Sequence, residues 1–598
     1  MPYIAGGIFK GRSQQAPINL LNYVEQKLTH ITAHVWEETL YTAYIHFGFY
    51  PMESSTELVD IASNKKTILC GRLFEKSTGK AVTISDLNID AITNSRGGEL
   101  GEKYWGSYLL ITLNDEGIAF YRDPMALSVL FYTQVEQGYV FTTSIAPLVD
   151  FLEQNAEVNW TYLTSYIASN HHVTAVTPFK NIFEILPGCE TTLLINDKPR
   201  LSFFWDPTAI SSSYIENESS FQEKIFKTTQ MTLSAWVYGS QKAHLKLSGG
   251  LDSSSLLALL RHNRYTNPIQ AFNFFDSSFS AADEREFAQE VCDLYEVPIN
   301  FIDFQEHLPF SELTPLIRRD RPCSTLLASN FTDSVASAMN VAKDDIILSG
   351  EGGDHLFLAP PPRETFLDYI LENNFFRSYS LLKDVSTYNR MPYVSLLRES
   401  LRTYTSYKQG KLNYLELLNE SQDWMTDAFK SEVDPHLFKP HYWKKLGDVF
   451  PGKAQHILAI QSATLRNNRD NDIPGKSIIH PLLSQPLVEL ALSMPTYQSF
   501  KHGYNRFQFR KAMEKHLKGR YLWRISKGDT SGAVVMGVRK NFAFLQSLLL
   551  EGQCVKKGFI DAAKLHRSLL EFKSGKVDFM WPIIKLFVVE KWLKSWQK

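Results

Sequence analysis

Hydrophobic and polar positions follow two different patterns along the chain, and the change falls near residue 210. In the first two hundred residues, short apolar runs are separated by turn residues, which predicts β-strands. The predicted strands are Thr42–Phe47, Ser107–Leu113, Ile118–Tyr121, Val129–Tyr132, Tyr139–Thr142, Glu190–Ile195 and Leu201–Trp205. The last two form a predicted hairpin around Asn196-Asp197. We therefore expect a β-rich N-terminal domain over residues 1–210.

The later pattern alternates helices with strands. The predicted strands are Ala243–Leu247, Ile269–Phe275, Ile299–Phe304 and Asp345–Ser349. The predicted helices include Phe221–Tyr238, Ser253–His262 and Asp283–Tyr295. Such alternation indicates a doubly wound parallel sheet. The chain after residue 365 is expected to be a mostly helical extension, so the second domain is placed at 211–598. Asp206–Ser220, which contains Pro207 and three consecutive serines, is expected to be the linker.

Composition limits the possible functions. The 598 residues carry a net charge of −2, which does not favour binding to nucleic acid or to a membrane surface. The five cysteines are odd in number and widely spaced, which fits a reducing cytoplasm better than a disulfide framework or a zinc site. No signal peptide is recognisable. Met580–Val589, the most apolar C-terminal stretch, is short and predicts a buried helix rather than a membrane span.

The run Ser248-Gly249-Gly250-Leu251-Asp252-Ser253 carries the main chemical prediction. It lies between a predicted strand and a predicted helix, where free N–H groups and the helix dipole favour a phosphate. The two glycines allow the backbone to approach the anion closely, and the two serines add hydroxyl donors. Asp252 would repel a phosphate unless a divalent cation lay between them, so it implies Mg²⁺. The run lacks the lysine of a Walker sequence and predicts an ATP site of another kind.

A second glycine-rich turn, Gly350-Glu351-Gly352-Gly353-Asp354, follows the strand ending at Ser349. Ligands of open α/β sheets bind outside the carboxyl ends of the strands, so both turns are expected at one site. Asp252 and Asp354 are then expected to share one Mg²⁺, with Gly350 and Gly352 close to the ligand. Glu351 is a candidate general base for an attacking amine.

Other polar features leave alternatives open. Lys527, in Arg524-Ile525-Ser526-Lys527-Gly528, is a candidate cation for the charge that develops when pyrophosphate leaves. Arg506 and Arg510 share a predicted helical face and could contact pyrophosphate, contact a peptide, or be solvated. His171-His172 has no metal-ligand spacing around it and predicts a loop or surface pair.

These motifs resemble the asparagine synthetase superfamily over nearly the whole chain. The run at residues 248–253 is similar to that family's pyrophosphate loop, and Leu348–Asp354 is similar to its second signature. The resemblance implies that Glu351 is the reaction base, that Asp354 binds Mg²⁺, and that Lys527 stabilises the adenylation transition state. The N-terminal half resembles an N-terminal-nucleophile (Ntn) glutaminase, a β-rich sandwich, at Arg122-Asp123-Pro124, Phe141–Ser144, Leu186-Pro187-Gly188 and Trp205.

The departures from the family pattern are informative as well. The family's glutaminase uses a cysteine at position 2, where this chain has Pro2, so ammonia release from glutamine is not expected. Ser484 stands where the synthetases have an aspartate, and His355 stands where they have a glutamate. β-Lactam synthetases and lasso peptide cyclases have lost the same cysteine, but the former carry a tyrosine at the position of Glu351. The Gly-Gly-Asp turn and the block Ser484–Leu490 look more like those of lasso cyclases.

The resemblance therefore implies an AMP-forming macrolactam synthetase that uses ATP and Mg²⁺. Its substrate would be a leaderless core peptide, whose Asp or Glu side chain is adenylated and then attacked by the peptide's own N-terminal amine. A leader peptidase and a leader-recognition protein of the same pathway are the implied partners. Two alternatives stay open: an amide ligase acting on a small amino acid, and a non-catalytic scaffold that binds nucleotide.

Overall fold

The computed structural model describes most of the chain, in residues 3–10, 29–37, 41–49, 59–63, 66–152, 156–169, 174–211, 217–275, 277, 283–303, 308–312, 318–327, 339–342, 344–372, 378–409, 422–470, 472–473, 476–525, 531–576 and 580–597. The candidate residues Pro2, His171, His172 and Lys527 lie outside these ranges.

The N-terminal half contains two antiparallel sheets. Their strands are β1 (Tyr3–Lys10), β2 (Thr29–Glu37), β3 (Tyr41–Phe49), β4 (Val59–Ile61), β5 (Thr67–Glu75), β6 (Ala81–Val82), β7 (Tyr104–Asn114), β8 (Gly117–Arg122), β9 (Phe131–Val135), β10 (Gly138–Thr142), β11 (Ile182–Glu184), β12 (Cys189–Leu194) and β13 (Arg200–Phe203). One sheet has the order β11-β9-β10-β1-β3-β2 and the other β13-β12-β8-β7-β5-β4, with β6 paired to β5. Side chains from both sheets, such as Ile8 and Ile111, share one buried core, so the expected β-rich half is confirmed as two packed layers.

The C-terminal half is built on a mostly parallel sheet. Its strands are β14 (Ala243–Lys246), β15 (Ile269–Phe275), β16 (Ile299–Asp303), β17 (Ile346–Ser349), β18 (Asp472–Ile473) and β19 (Lys476–Ile479). Their order is β16-β15-β14-β17-β19-β18, and only β18 is antiparallel to its neighbour. The chain moves outward from β14 in one direction to β16 and in the other through β17. The gap between the ends of β14 and β17 is therefore the topological switch point, where ligands of such sheets bind.

Helices occur in both halves of the chain, and the later ones cover this sheet and form the extension expected after residue 365. They are α1 (Ile89–Asn94), α2 (Gly98–Lys103), α3 (Ile145–Leu152), α4 (Trp160–Ala168), α5 (Pro207–Ser211), α6 (Glu218–Val237), α7 (Leu251–His262), α8 (Arg285–Tyr295), α9 (Gly353–Leu356), α10 (Thr365–Leu371), α11 (Ser378–Tyr388), α12 (Tyr393–Lys408), α13 (Asp427–Glu432), α14 (Pro451–Asp470), α15 (Gln485–Leu492), α16 (Phe507–Glu514), α17 (Ser531–Lys540), α18 (Phe542–Leu550), α19 (Gln553–Lys556), α20 (Ala562–Ser574) and α21 (Met580–Trp596).

The C-terminal helix α21 is buried, as the sequence predicted for its apolar part. Trp592 and Trp596 both pack on Phe179 of the N-terminal half, with ring centroids 5.2 and 4.9 Å apart. Among the described residues, no single helix meets the length and hydropathy needed to cross a bilayer. One pair bent by 80°, Gly532–Lys540 with Phe542–Lys556, meets that criterion only when its two parts are joined.

A second contact between the halves centres on Glu489 of α15. Its carboxylate accepts hydrogen bonds from Lys76 Nζ at 2.9 Å and from the Trp205 indole N–H at 3.1 Å, and both donors belong to the N-terminal half. Trp236 of α6 also makes edge-to-face contacts with Phe74 and Trp105 of the N-terminal half. The two halves therefore share buried apolar contacts and partly buried polar contacts.

Candidate active site

The first glycine-rich loop forms a tight turn between β14 and α7. Gly249 has φ = +73°, and a Cβ there would lie 2.6 Å from the backbone nitrogen of Ala288. Gly250 is the N-cap of α7 and has no side chain above the free N–H groups of the first turn. Ser253 Oγ lies 3.2 Å from both the N–H and the Oγ of Ser248, which closes the loop. The free N–H groups at the start of α7, next to glycines that have no side chains, can bind a phosphate.

The second turn lies directly against the first. β14 and β17 are paired in parallel, with Lys246 opposite Ser349. A Cβ on Gly350 would come within 2.5 Å of the backbone nitrogen of Ser253, and one on Gly353 within 2.5 Å of the Asp252 carboxyl carbon. These glycines are required because the turns touch. The structure thus brings together the two signatures, which are about one hundred residues apart in sequence.

Asp252 and Asp354 converge on one cationic atom. Nη1 of Arg506 lies 2.6 Å from Asp252 Oδ2 and 2.5 Å from Asp354 Oδ1. Two carboxylate oxygens that contact the same nitrogen are close enough to share a metal ion. Across the part of the chain that the structure describes, no three His, Cys, Asp or Glu side chains gather around a metal position. This donor set fits Mg²⁺, which is commonly held by one or two carboxylates together with substrate phosphates and water.

Arg506 and Arg510 are buried, so the possibility that they form a solvated basic face is wrong. Burial alone would lower the pKa of Arg506, but the carboxylates of Asp252 and Asp354 outweigh it and raise that pKa. Burial and the neighbouring Arg506 charge lower the pKa of Arg510 to about 10. Arg510 donates to the carbonyl oxygens of Asn505 at 2.8 Å and Leu522 at 2.6 Å, so it holds protein backbone.

Glu351 is exposed at the mouth of the site, and its N–H lies 3.2 Å from Ser349 Oγ. Sequence reasoning missed its cationic neighbour, Lys246, the last residue of β14. Burial lowers the pKa of Lys246, and the negative charge of Glu351 acts in the opposite direction. A lysine at the end of a strand that leads directly into the glycine-rich loop was the available signal. Glu351 is therefore placed where an amine could reach it, beside a buried positive charge.

The late Arg/Lys segment approaches the first loop through Arg524. Its guanidinium donates to the Gly249 carbonyl oxygen at 3.3 Å and to Glu284 at 2.8 Å, and it lies 3.5 Å from the Phe287 ring centroid. Lys527 lies three positions further on, outside the described residues. Its assignment remains a prediction, although its sequence neighbour contacts the loop.

Two departures from the family pattern also have structural consequences. Ser484, which stands at an aspartate position, accepts a hydrogen bond from the Trp236 indole N–H at 2.9 Å and is the N-cap residue of α15, although its side chain makes no capping hydrogen bond. Cys70, the cysteine nearest to the N-terminus, is fully buried between the two N-terminal sheets. Burial raises its thiol pKa above the ordinary value, so Cys70 cannot replace an N-terminal nucleophile.

Three solved structures show a weak likeness to the chain. An allosteric regulatory enzyme of purine biosynthesis has 11% identity over 52% of this chain and 82% of its own, with a TM-score of 0.23. Glutamine phosphoribosylpyrophosphate amidotransferase from B. subtilis has 10% identity over 58% and 81%, with a TM-score of 0.23. The U34-tRNA thiolase NcsA from Methanococcus maripaludis has 17% identity over 41% and 80%, with a TM-score of 0.19.

Sequence comparisons give a clearer result. No curated protein matches the chain. The profile of the asparagine synthase family, however, matches residues 239–594, which include both glycine-rich turns, Arg506 and Lys527. The match covers more than half of the 598 residues. The chain therefore belongs to the asparagine synthase family, and this membership supports an ATP-dependent amide ligase in general.

Proposed function

We propose that this protein is an AMP-forming macrolactam synthetase of the lasso cyclase type. It adenylates an Asp or Glu side chain of a leaderless core peptide and closes an isopeptide ring with the N-terminal amine. One observation carries the ATP chemistry: two glycine-rich turns meet at the switch point of the sheet, and Asp252 and Asp354 point at one cation position. A phosphate cradle beside two converging carboxylates suits a nucleotide bound with Mg²⁺.

In the first step, a carboxylate oxygen of the substrate attacks the α-phosphorus of ATP and pyrophosphate leaves. Ser248, Gly249, Gly250 and Ser253 bind the polyphosphate through backbone N–H groups and hydroxyls. Asp252 and Asp354 hold Mg²⁺, which supplies positive charge to the leaving pyrophosphate. Lys527 is assigned to the charge that develops on the α-phosphate.

In the second step, the amine attacks the acyl carbon and AMP leaves. Glu351 takes the proton that the amine loses. Its exposed position at the mouth of the site supports this role, because a peptide terminus has to reach it.

The source of the amine supports ring closure. We assign residues 1–210 to an Ntn glutaminase-like domain without its nucleophile, and residues 211–598 to the ligase domain. Pro2 provides no thiol and Cys70 is enclosed, so free ammonia from glutamine is not the expected acceptor. An amine on the substrate itself then becomes the simplest acceptor. The proposal includes a cytoplasmic location and a leader peptidase with a leader-recognition protein as partners.

The test uses synthetic leaderless peptides encoded near this gene, incubated with the protein, ATP and Mg²⁺. Mass spectrometry should show the loss of one water and a ring between the first residue and an internal Asp or Glu. A peptide with an acetylated N-terminus is the control and should stay linear. Amidation of free aspartate or glutamate by added ammonia, with no change in any peptide, would favour a small-substrate amide ligase instead. ATP binding without pyrophosphate release in either assay would indicate a scaffold.

A further inference from the structure

Arg506 occupies the position in which the proposed site needs its metal ion. Its Nη1 atom lies between Asp252 Oδ2 and Asp354 Oδ1, at 2.6 and 2.5 Å. The side chains of Arg506 and Asp252 are only 10% and 11% exposed, so this ion pair is largely shielded from water. Arg506 comes from a third segment, 254 positions after Asp252 in the chain.

A guanidinium and a metal ion cannot both take this position. Mg²⁺ binds carboxylate oxygens at about 2.0–2.1 Å, so an ion shared by the two aspartates would overlap Nη1. We propose that Arg506 is the resident counter-ion of the aspartate pair, and that Mg²⁺ arriving with ATP displaces it. The released guanidinium then pairs with the polyphosphate, which supplies negative charge at the same place. This inference rests on the proposed ATP chemistry of the site.

The surrounding structure allows the Arg506 side chain to move while the backbone stays fixed. Arg506 is the N-cap of α16, with φ = +53°, and its carbonyl oxygen accepts the Arg510 N–H at 2.9 Å. The next residue, Phe507, donates its N–H to the Ser499 carbonyl oxygen at 2.9 Å. The nearby Arg510 donates its hydrogen bonds to two backbone carbonyl oxygens and to the Asn505 side chain. Arg506 is therefore the arginine of this pair that pairs with the carboxylates and can exchange with a cation.

The exchange has a measurable consequence. Without nucleotide, a divalent ion has to break the two ion pairs of Arg506. The displaced guanidinium then keeps its positive charge in a poorly hydrated site with no new anionic partner. With nucleotide, the guanidinium finds new anionic partners, so metal and ATP should bind together. Removing the guanidinium should have opposite effects on the two ligands: metal alone binds more tightly, and ATP binds more weakly.

The test is a titration with Mn²⁺, a paramagnetic substitute for Mg²⁺, followed by electron paramagnetic resonance in the absence of nucleotide. Arg506→Gln should bind Mn²⁺ at least about tenfold more tightly than the wild type, because it no longer has a buried ion pair to break. The same variant should bind ATP with Mg²⁺ about tenfold or more weakly by calorimetry. Arg520→Gln, which removes an exposed arginine paired with Glu290, is the matched control and should change neither affinity.

Circular dichroism verifies folding of each variant. If Arg506→Gln does not fold, Arg506→Lys decides, because its shorter side chain bridges two carboxylates less well and should also raise the Mn²⁺ affinity. An Mn²⁺ affinity that is unchanged in the folded variant would overturn the proposal. Neither titration needs the acyl substrate. A wrong assignment of the ligase reaction would therefore leave these affinities as predicted, and the two failures can be told apart.

Discussion

Glu184 should hold the two halves of the protein together through two buried arginines. Its carboxylate accepts a hydrogen bond from Nη1 of Arg122, in the N-terminal half, at 2.7 Å. It also accepts a hydrogen bond from Nη2 of Arg321, in the segment after β16. Arg122 and Glu184 are fully buried, and the Arg321 side chain is 10% exposed. Burial alone would lower the pKa of Arg321, but Glu184 keeps that pKa above its usual value.

Replacing Glu184 with glutamine keeps its shape and removes its charge. Both guanidinium groups then stay buried without the carboxylate that contacts them. Breaking a buried pair in this way costs about 3–5 kcal/mol, and Glu184→Gln should reach the upper part of that range because two cations lose one anion. A loss of this size is a large share of a typical domain's stability of about 5–15 kcal/mol.

Urea unfolding followed by tryptophan fluorescence measures the change, with circular dichroism as a second probe. Glu157→Gln is the control, because its ion pair with Lys180 is more than half exposed on both sides and should leave the unfolding midpoint unchanged. A Glu184→Gln protein within about 1 kcal/mol of the wild type would refute the reasoning, since it would show that the arginines find other partners or water.

Three further predictions concern the site and its surroundings. Gly350→Ala should abolish ATP binding in a folded protein, measured by calorimetry, because its Cβ would meet the Ser253 backbone at 2.5 Å. Asp252→Asn and Asp354→Asn should each reduce pyrophosphate release by about 10²–10³-fold, because each removes charge that opposes the polyphosphate. Burial lowers the pKa of His456 to about 3, so the folded state excludes a proton that the unfolded chain binds below about pH 6.5. The contribution of His456 to stability should be complete above that pH and fall by up to about 1.4 kcal/mol per pH unit from 6.5 towards 3, and His456→Gln should remove this contribution from the pH dependence of the urea midpoints.

The sequence predicted the sheet around the site well, because buried parallel strands are continuous apolar runs. The strand predicted at Ile269–Phe275 has those same bounds in the structure, and the one predicted at Asp345–Ser349 differs by one residue. β19 was missed because it is short and two of its four residues, Lys476 and Ser477, are polar. Only its pairing with β17 reveals it.

The strand β1 was missed for a different reason. Gly6 and Gly7 interrupt its apolar pattern, yet a Cβ on Gly6 would lie 2.3 Å from the Tyr44 carbonyl oxygen. The glycines are there because neighbouring strands approach closely, which is a tertiary requirement. The contact between Arg506 and Asp252 could not be predicted either, because the two residues are 254 positions apart in the chain. Local patterns identify the turns, but they do not identify which distant charge completes them.

The most direct test of the central claim separates the two steps of the proposed reaction in two variants. Pyrophosphate release and peptide mass are measured together for Glu351→Gln and Lys527→Ala, with Lys518→Ala as an exposed control. Lys527→Ala should release little pyrophosphate, whereas Glu351→Gln should release pyrophosphate and AMP without forming a ring, because the acyl-adenylate forms and then hydrolyses. ADP as the main product of the wild type would contradict adenylation. Equal loss of pyrophosphate in both variants would show that Glu351 belongs to the phosphate and metal site and is not the base.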